Sequence, residues 1–242
     1  TSISHYPKGV RRRGKVKDVQ IYRRRWKSVF VRSWGNENKP ILLKLHRFPE
    51  YSGAWEEVSE YLSDKFYCLA PDQRGYGKSY APERIEDYKM GLLIQDLKGI
   101  IKHFGGPLLV LGHDWGAAVA YGLAIAYPEL VSRHINMNGV HPIPFQRALC
   151  EDKAQNAASQ YISWLRRKGS GTVWAKNDFE CLKAMFRQSM DMTWLSAVRL
   201  DRYKLAWKDA DRMGAMVNWY RANRLRIPKP EDVPQHMPAL HS

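Results

Sequence analysis

Residues 108–118 have the sequence Leu-Leu-Val-Leu-Gly-His-Asp-Trp-Gly-Ala-Ala, and this stretch decides the fold. The apolar run at 108–111 is typical of a short buried strand, and the small residues at the end of the stretch favour a closely packed helix. Between them, Asp114 is flanked by Gly112 and Gly116, which have no side chains to keep strand and helix apart. The pattern predicts a nucleophile elbow, a tight turn that presents the Asp114 carboxylate for attack on carbon.

The composition limits the class of protein. With 242 residues, of which 44% are hydrophobic, the chain is long enough to bury a large core. No segment approaches the roughly 20 apolar residues of a membrane-spanning helix, and the N-terminus lacks the pattern of a secretory leader. Cys68, Cys150 and Cys181 are far apart and match no metal-binding spacing. We expect a globular protein without a membrane span, disulfide framework, metal ion or cofactor.

Positive charge is concentrated at the start of the chain. Residues 1–35 carry eleven lysines and arginines against Asp18 alone, a net charge of +10, whereas residues 36–242 carry a net charge of +5. Such a basic block is expected for contact with RNA phosphates or another anionic surface; the alternative is an ordinary solvated face. The candidate RNA-binding residues are Arg11, Arg12, Arg13, Lys15, Lys17, Arg23, Arg24, Arg25 and Lys27.

Strand and helix patterns alternate from the N-terminus to the elbow and beyond it. Residues 16–22 and 28–34 alternate between apolar and polar side chains, which predicts an antiparallel hairpin. The later alternation predicts an α/β fold, with a mostly parallel sheet, right-handed crossovers and helices on both faces. The later predicted strands are 40–45, 66–70, 108–111 and 134–138, and the predicted helices are 54–62, 88–104 and 115–127.

The character of the sequence changes after residue 144. The next 81 residues have helical periodicity rich in Trp, Met and Arg, and we interpret them as a helical cap inserted into the α/β fold. The residues that follow contain too many prolines for a helix or an inner strand. The predicted regions are a basic N-terminal extension with the first strands (1–35), an α/β core (36–144), the cap (145–225) and an extended tail (226–242).

Four motifs carry a family resemblance: His-Arg-Phe-Pro at 46–49, Asp-Gln-Arg-Gly-Tyr-Gly-Lys-Ser at 72–79, the elbow, and Val-Asn-Trp-Tyr-Arg at 217–221. Together they resemble the α/β-hydrolase superfamily, and within it the epoxide hydrolases more closely than the haloalkane dehalogenases. The resemblance extends from residue 16 to about residue 225. It implies an α/β-hydrolase-like sheet with flanking helices and a cap.

The resemblance also implies a set of site residues. Asp114 would attack an epoxide carbon while Tyr161 and Tyr220 hydrogen-bond the ring oxygen, and a histidine backed by an acid would then activate water. The backbone N–H groups of Phe48 and Trp115 would line an oxyanion site. The alternative is structural: an acid that caps a helix and tyrosines that pack in an aromatic core.

Two departures from the family's pattern argue against turnover. The family has glycine where this chain has Arg47, which is expected either to distort the turn or to project its guanidinium into the pocket. The family's last strands and helices, which bear the histidine and its acid, have no counterpart after the cap, because His236 and His241 lie in the proline-rich tail. The sheet would then end at 134–138 with an apolar edge, which a partner or a missing segment should cover.

Three hypotheses for function follow. The leading one is a catalytically inactive, epoxide hydrolase-like structural subunit of a large RNA-containing assembly. The assembly that this hypothesis favours is an organellar (mitochondrial) ribosome. The second is an active epoxide hydrolase whose C-terminal acid and histidine are missing from this sequence. The third is a ligand-sensing module. The chain starts at Thr1 rather than at a methionine, which favours a processed organellar protein over a cytoplasmic one, although a shortened sequence would start in the same way.

Overall fold

The structure is a computed structural model that describes residues 17–23, 27–139, 141–189 and 191–233. Six strands form one sheet in the order β1-β2-β4-β3-β5-β6. β1 and β2 form the predicted antiparallel hairpin, β2 pairs antiparallel with β4, and the other neighbouring strands are parallel. The predicted α/β class with a mostly parallel sheet is confirmed. The strands are β1 (Lys17–Arg23), β2 (Lys27–Trp34), β3 (Ile41–Leu45), β4 (Tyr67–Pro71), β5 (Leu108–His113) and β6 (Val131–Met137).

The central strands are buried on both faces, as the apolar run of β3 predicts. Leu43 and Leu45 contact the main hydrophobic core, whereas Leu42 belongs to a second cluster with Trp34 and Cys68. This difference follows from the two-residue period of a strand, which sends successive side chains to opposite faces. In β5, Val110 likewise contacts the main core and Leu111 the second cluster, so the elbow follows a strand that is fixed between two layers.

β6 begins earlier than predicted, at Val131 rather than residue 134. Val131 follows a short 3-10 turn, Pro128–Leu130, and pairs with Leu108 of β5. The polar residues after Val131 hide the start of the strand in the sequence, because pairing with β5, and not apolar character, determines where it begins.

β6 lies at one edge of the sheet within the described residues. The side chains of Ile135 and Met137 are 45% and 42% exposed, whereas the side chain of Val110 in the neighbouring strand is fully buried. An exposed strand edge offers unpaired backbone groups to another strand. That a partner or a further segment of the chain covers this edge stays a prediction.

Eight helices lie in the described ranges, three against the sheet and five in the cap. No described helix is long and apolar enough to cross a membrane. The first cap helix begins before the predicted boundary at 145, because Pro142 occupies its first turn, where a proline needs no N–H partner. The helices are α1 (Glu56–Leu62), α2 (Met90–Phe104), α3 (Trp115–Ala126), α4 (Pro142–Glu151), α5 (Lys153–Leu165), α6 (Ser170–Ser189, interrupted at 176–179), α7 (Ala197–Trp207) and α8 (Ala210–Ala222).

The tail is extended over most of its described part. Up to Val233 it contains one short 3-10 turn, Pro230–Asp232. The remainder of the predicted tail, 234–242, lies outside the described residues.

Hydrogen bonds of cap side chains fix the cap on the core. The indole N–H of Trp207 donates to the carbonyl oxygen of Pro49 at 2.7 Å, and that of Trp219 donates to the carbonyl oxygen of Arg74 at 2.8 Å. The amide of Asn223, just after α8, accepts from the N–H of Met90 at 2.8 Å. These bonds hold α7 and α8 over the loops at the carboxyl ends of the strands, where the elbow lies.

Candidate active site

Asp114 occupies a strained turn between β5 and α3. Its φ is +53°, a value that L residues rarely adopt. A Cβ on Gly112 would lie 2.5 Å from the Cα of Ala117, and one on Gly116 would lie 2.7 Å from the carbonyl carbon of Leu45. The elbow thus requires glycine at both flanking positions, as its sequence predicted.

The backbone of Asp114 is fixed on both sides. Its N–H donates to the carbonyl oxygen of Met137 at 3.1 Å, and its carbonyl oxygen accepts from the N–H of Ala118 at 3.0 Å. Its side chain makes no helix-capping hydrogen bond within the described residues. Of the N–H groups at the start of α3, the carboxyl group meets that of Trp115. The structural alternative, an acid that satisfies such groups, therefore stays a hypothesis.

The two predicted oxyanion residues lie beside the Asp114 carboxyl group. The N–H of Phe48 donates to its Oδ2 at 3.3 Å. Burial raises the pKa of Asp114, while the backbone N–H of Trp115, the charge of Arg47 and the N–H of Phe48 lower it. Burial outweighs the other causes, so the pKa of Asp114 lies above its usual value, and these donors and the nearby cation limit the increase.

Tyr161 and Tyr220, from α5 and α8, lie together on the cap side of Asp114. The Tyr220 ring meets those of Phe48 and Trp115 edge to face, at centroid distances of 5.2 and 5.1 Å, and the Tyr161 ring lies 6.4 Å from it. Burial raises the pKa of Tyr220 well above its usual value, and raises that of Tyr161 to about 12. The charge of Asp114 contributes to both increases, so both hydroxyls stay protonated at neutral pH and can donate.

Asp114, Tyr161 and Tyr220 line two cavities. One, of about 470 Å³, also has walls from Arg47 and Trp164. The other has a volume of about 420 Å³ and is mostly apolar. Its further lining includes Met90, Ile125, Phe145, Ile162, Leu225 and Arg224. A substrate bound at Asp114 can therefore extend in two directions.

The loop at 72–79 supports the turn that carries Phe48. The buried Asp72 carboxylate accepts from the N–H groups of Ser52 at 2.8 Å and Lys78 at 2.9 Å. His46 Nε2 accepts from the N–H of Gln73 at 3.1 Å. Burial lowers the pKa of His46 to about 4, so this ring is neutral and structural.

Sequence reasoning missed Glu50, and its only signal was the position directly after the turn at 46–49. Burial raises its pKa to about 7; Asp114 adds to the increase, while Arg47 and a hydrogen bond with Tyr203 oppose it. Glu50 lines a third cavity, of about 340 Å³, with Arg47 and His113. The site thus contains a second, half-buried carboxyl group that is partly protonated at neutral pH.

A family model described as the alpha/beta hydrolase fold matches residues 40–177, more than half of the chain. The match includes the turn at 46–49, Asp114 and Tyr161. The chain belongs to the α/β-hydrolase family.

This α/β-hydrolase is similar in sequence to the AB hydrolase superfamily protein YfhM of Bacillus subtilis (strain 168): 34% identity over 217 residues, 87% of the chain and 76% of that protein. It is 31% identical over 194 residues to Epoxide hydrolase 4 of Mus musculus, covering 77% of the chain and 54% of the relative. A solved structure of novel epoxide hydrolases in metagenomes from hot environments matches with a TM-score of 0.81 at 29% identity, covering 94% of the chain and 77% of its own. The protein is thus an epoxide hydrolase-like α/β-hydrolase that spans about half the length of the mouse relative.

Arg47 does not displace the oxyanion turn of this α/β-hydrolase. Its Nε donates to the carbonyl oxygen of Phe48 at 3.1 Å, and the Phe48 N–H still reaches Asp114. The side chain lines the cavities on either side of the turn. The sequence allowed either a distorted turn or a guanidinium that projects into the pocket, and the structure has the projecting guanidinium.

Most of the predicted RNA-binding residues lie outside the described residues: Arg11, Arg12, Arg13, Lys15, Arg24 and Arg25. Lys17 is exposed in β1 and forms an ion pair with Glu37 at 3.1 Å. Arg23 and Lys27 are opposite each other in the backbone register of β1 and β2, at the end of the hairpin. His236 and His241 also lie outside the described residues. RNA binding by the hairpin stays a prediction.

Proposed function

We propose that the protein opens epoxides with Asp114 as the nucleophile. The observation that carries the proposal is the arrangement around this carboxylate. It lies in a strained turn beside the Phe48 N–H, and it shares two cavities with the protonated hydroxyls of Tyr161 and Tyr220. A carboxylate with two hydroxyl donors placed together suits attack on a strained C–O bond better than attack on an unstrained one.

In the proposed step, an Asp114 carboxylate oxygen forms a bond to one epoxide carbon, and the bond from that carbon to the ring oxygen breaks. The ring oxygen keeps the electron pair and takes a proton from the hydroxyl of Tyr161 or Tyr220, which solvent restores. The product is a hydroxyalkyl ester of Asp114. Addition of water to the ester carbonyl would then release a diol and the free carboxylate.

The proposal places ring opening on the described residues and leaves open which base activates the water. His46 and His113 flank the site, and burial lowers the pKa of each to about 4. The positive charge of Arg47 also lowers the pKa of His113. A histidine with so low a pKa is a weak general base at neutral pH. The acid and histidine implied by the family resemblance therefore remain part of the proposal.

Intact-mass spectrometry after incubation with a small aryl epoxide tests the proposal. We expect either diol in solution or a mass increase of one epoxide per chain, which peptide mapping locates at Asp114. The variant D114N keeps the side-chain shape but is a poor nucleophile, and we expect neither product from it. If the wild-type chain gives neither product, the proposal is wrong; melting that rises with epoxide but without either product would favour the ligand-sensing hypothesis.

A second candidate rests on the net charge of +10 in residues 1–35. It is an inactive structural subunit of an RNA-containing assembly such as a mitochondrial ribosome. Neither the geometry of the site nor the comparisons support this role, and the retained Asp114, Tyr161 and Tyr220 argue against inactivity. The ribosomal role and the mitochondrial location stay predictions.

A further inference from the structure

The guanidinium of Arg47 lies half-buried in the wall of the 470 Å³ cavity. Its Nε is used by the Phe48 carbonyl oxygen. Within the described ranges, its two terminal nitrogens form no hydrogen bond or ion pair. The outer edge of the guanidinium, with four N–H donors, is therefore free to bind a group that enters the cavity.

The charges around Arg47 leave its positive charge partly uncompensated. Asp114 and Glu50 both interact with it electrostatically, but neither forms an ion pair with it. The carboxylate of Asp114 is already bound by backbone N–H groups, and Glu50 is partly protonated at neutral pH. His113 is neutral. An anion in this cavity would thus meet a guanidinium that has no carboxylate partner of its own.

We propose that Arg47 selects epoxides that carry a carboxylate group, which its terminal nitrogens bind in the 470 Å³ cavity while Asp114 attacks the ring. This inference rests on the proposed function and names its substrate class. The planar fork of a guanidinium matches the two oxygens of a carboxylate and forms short, charge-assisted hydrogen bonds with them. The apolar cavity on the other side of Asp114 fits the second substituent of the ring.

Arg224 is the other arginine that lines a cavity at Asp114. It lies in the apolar cavity and is exposed to solvent, where a charge is screened and an ion pair contributes little. The half-buried Arg47 is therefore the stronger candidate, and Arg224 provides a matched control.

The experiment uses a short series of aryl epoxides that carry a carboxylate on alkyl arms of increasing length, each compared with its primary amide. The pair differs in charge but little in size. The second-order rate constant for modification of Asp114, or for diol formation, is measured for both. We expect the best acid to react about tenfold to a hundredfold faster than its amide.

Variants of Arg47 test whether this side chain causes the preference. R47Q should bring the acid-to-amide ratio close to one, and the ratio cancels any effect on Asp114 that is common to both probes. R47K keeps the charge but loses the fork, so it should retain part of the preference. R224Q should retain all of it. Melting curves show whether each variant folds. If R47Q does not fold, R47K provides the test.

Equal reaction of acid and amide with the wild-type chain would overturn the inference and leave the proposed function intact. Loss of the preference in R224Q, or its survival in both Arg47 variants, would overturn it too. Failure of every probe to modify Asp114 or yield diol would instead contradict the proposed function. In that case carboxylate binding is read from the melting temperature with the ring-free acid: a rise in wild type that R47Q abolishes supports recognition by Arg47, and no rise overturns it.

Discussion

At the scale of single residues, the site depends on groups whose environment changes their chemistry. Tyr161 and Tyr220 would be ordinary core tyrosines elsewhere, since both are packed among aromatic rings. In the proposed function, their position beside Asp114 gives them a second role, because a donor near a forming alkoxide stabilises it. Under this proposal packing and catalysis are not alternatives, because the same contacts serve both.

Removal of one tyrosine hydroxyl should slow ring opening without unfolding the protein. We expect Y161F and Y220F each to lower the rate of Asp114 modification by about tenfold to a hundredfold, and the double variant to lower it further. The rate is measured by intact mass against time, with melting curves as the control for folding. If Y161F/Y220F reacts as fast as the wild type, the tyrosines only pack the core.

The site residues that could be predicted from the sequence have a local sequence signal, whereas the site residue that was missed depends on tertiary contacts. The elbow was predictable because both glycines lie two positions from Asp114 in the sequence, although only Gly112 is required by a near neighbour, Ala117, and Gly116 is required by Leu45 of β3. Glu50 was missed because its place in the site depends on tertiary contacts, among them a hydrogen bond with Tyr203, more than 150 positions away in the cap. For Arg47 the sequence allowed two outcomes, a distorted turn or a guanidinium in the pocket. The packing of the turn decides between them, and this packing cannot be predicted from the sequence.

At the scale of elements, two cap helices are attached to the core by indole N–H groups. The buried N–H of Trp219 in α8 donates to a carbonyl oxygen of the loop at 72–79, one residue before Tyr220. The same helix thus stabilises the fold and positions a candidate donor. The sequence predicted the cap as helical but not these bonds, because a tryptophan pattern does not specify which carbonyl each indole meets. The interruption of α6 at 176–179 and the early start of β6 likewise depend on tertiary contacts.

The variant W219F tests this attachment. Phenylalanine keeps most of the buried ring but leaves the Arg74 carbonyl oxygen without its partner, so we expect a loss of about 1–3 kcal/mol in the free energy of unfolding. The midpoint of urea denaturation measures the loss. W164F is the matched control, because the Trp164 side chain is 56% exposed and its replacement should change stability by less than about 0.5 kcal/mol. Equal effects of the two variants would contradict the role given to the Trp219 bond.

At the scale of the whole molecule, fold and charge carry different information. The alternation of strands and helices, the elbow and the cap identified the fold class from sequence, because the first and last follow from local periodicity and the elbow from the spacing of two glycines around Asp114. The net charge of +15 does not bear on the fold. It bears on partners, and two thirds of it lies in residues 1–35, most of which lie outside the described residues. The prediction of an RNA partner therefore rests on charge distribution alone.

The salt dependence of RNA binding tests whether the concentration of positive charge in residues 1–35 contributes to that binding. If the basic block binds RNA, affinity for a single-stranded RNA should fall steeply with salt, because each phosphate contact releases bound counterions. The triple variant R11A/R12A/R13A should weaken binding and reduce the salt slope. K102A/K153A/K168A removes the same charge from exposed positions elsewhere and should have a smaller effect on both. Fluorescence anisotropy at several salt concentrations measures affinity and slope together. Equal effects of the two triple variants would mean that RNA responds to total charge rather than to the N-terminal block, and absence of binding at low salt would remove the argument for an RNA-containing assembly.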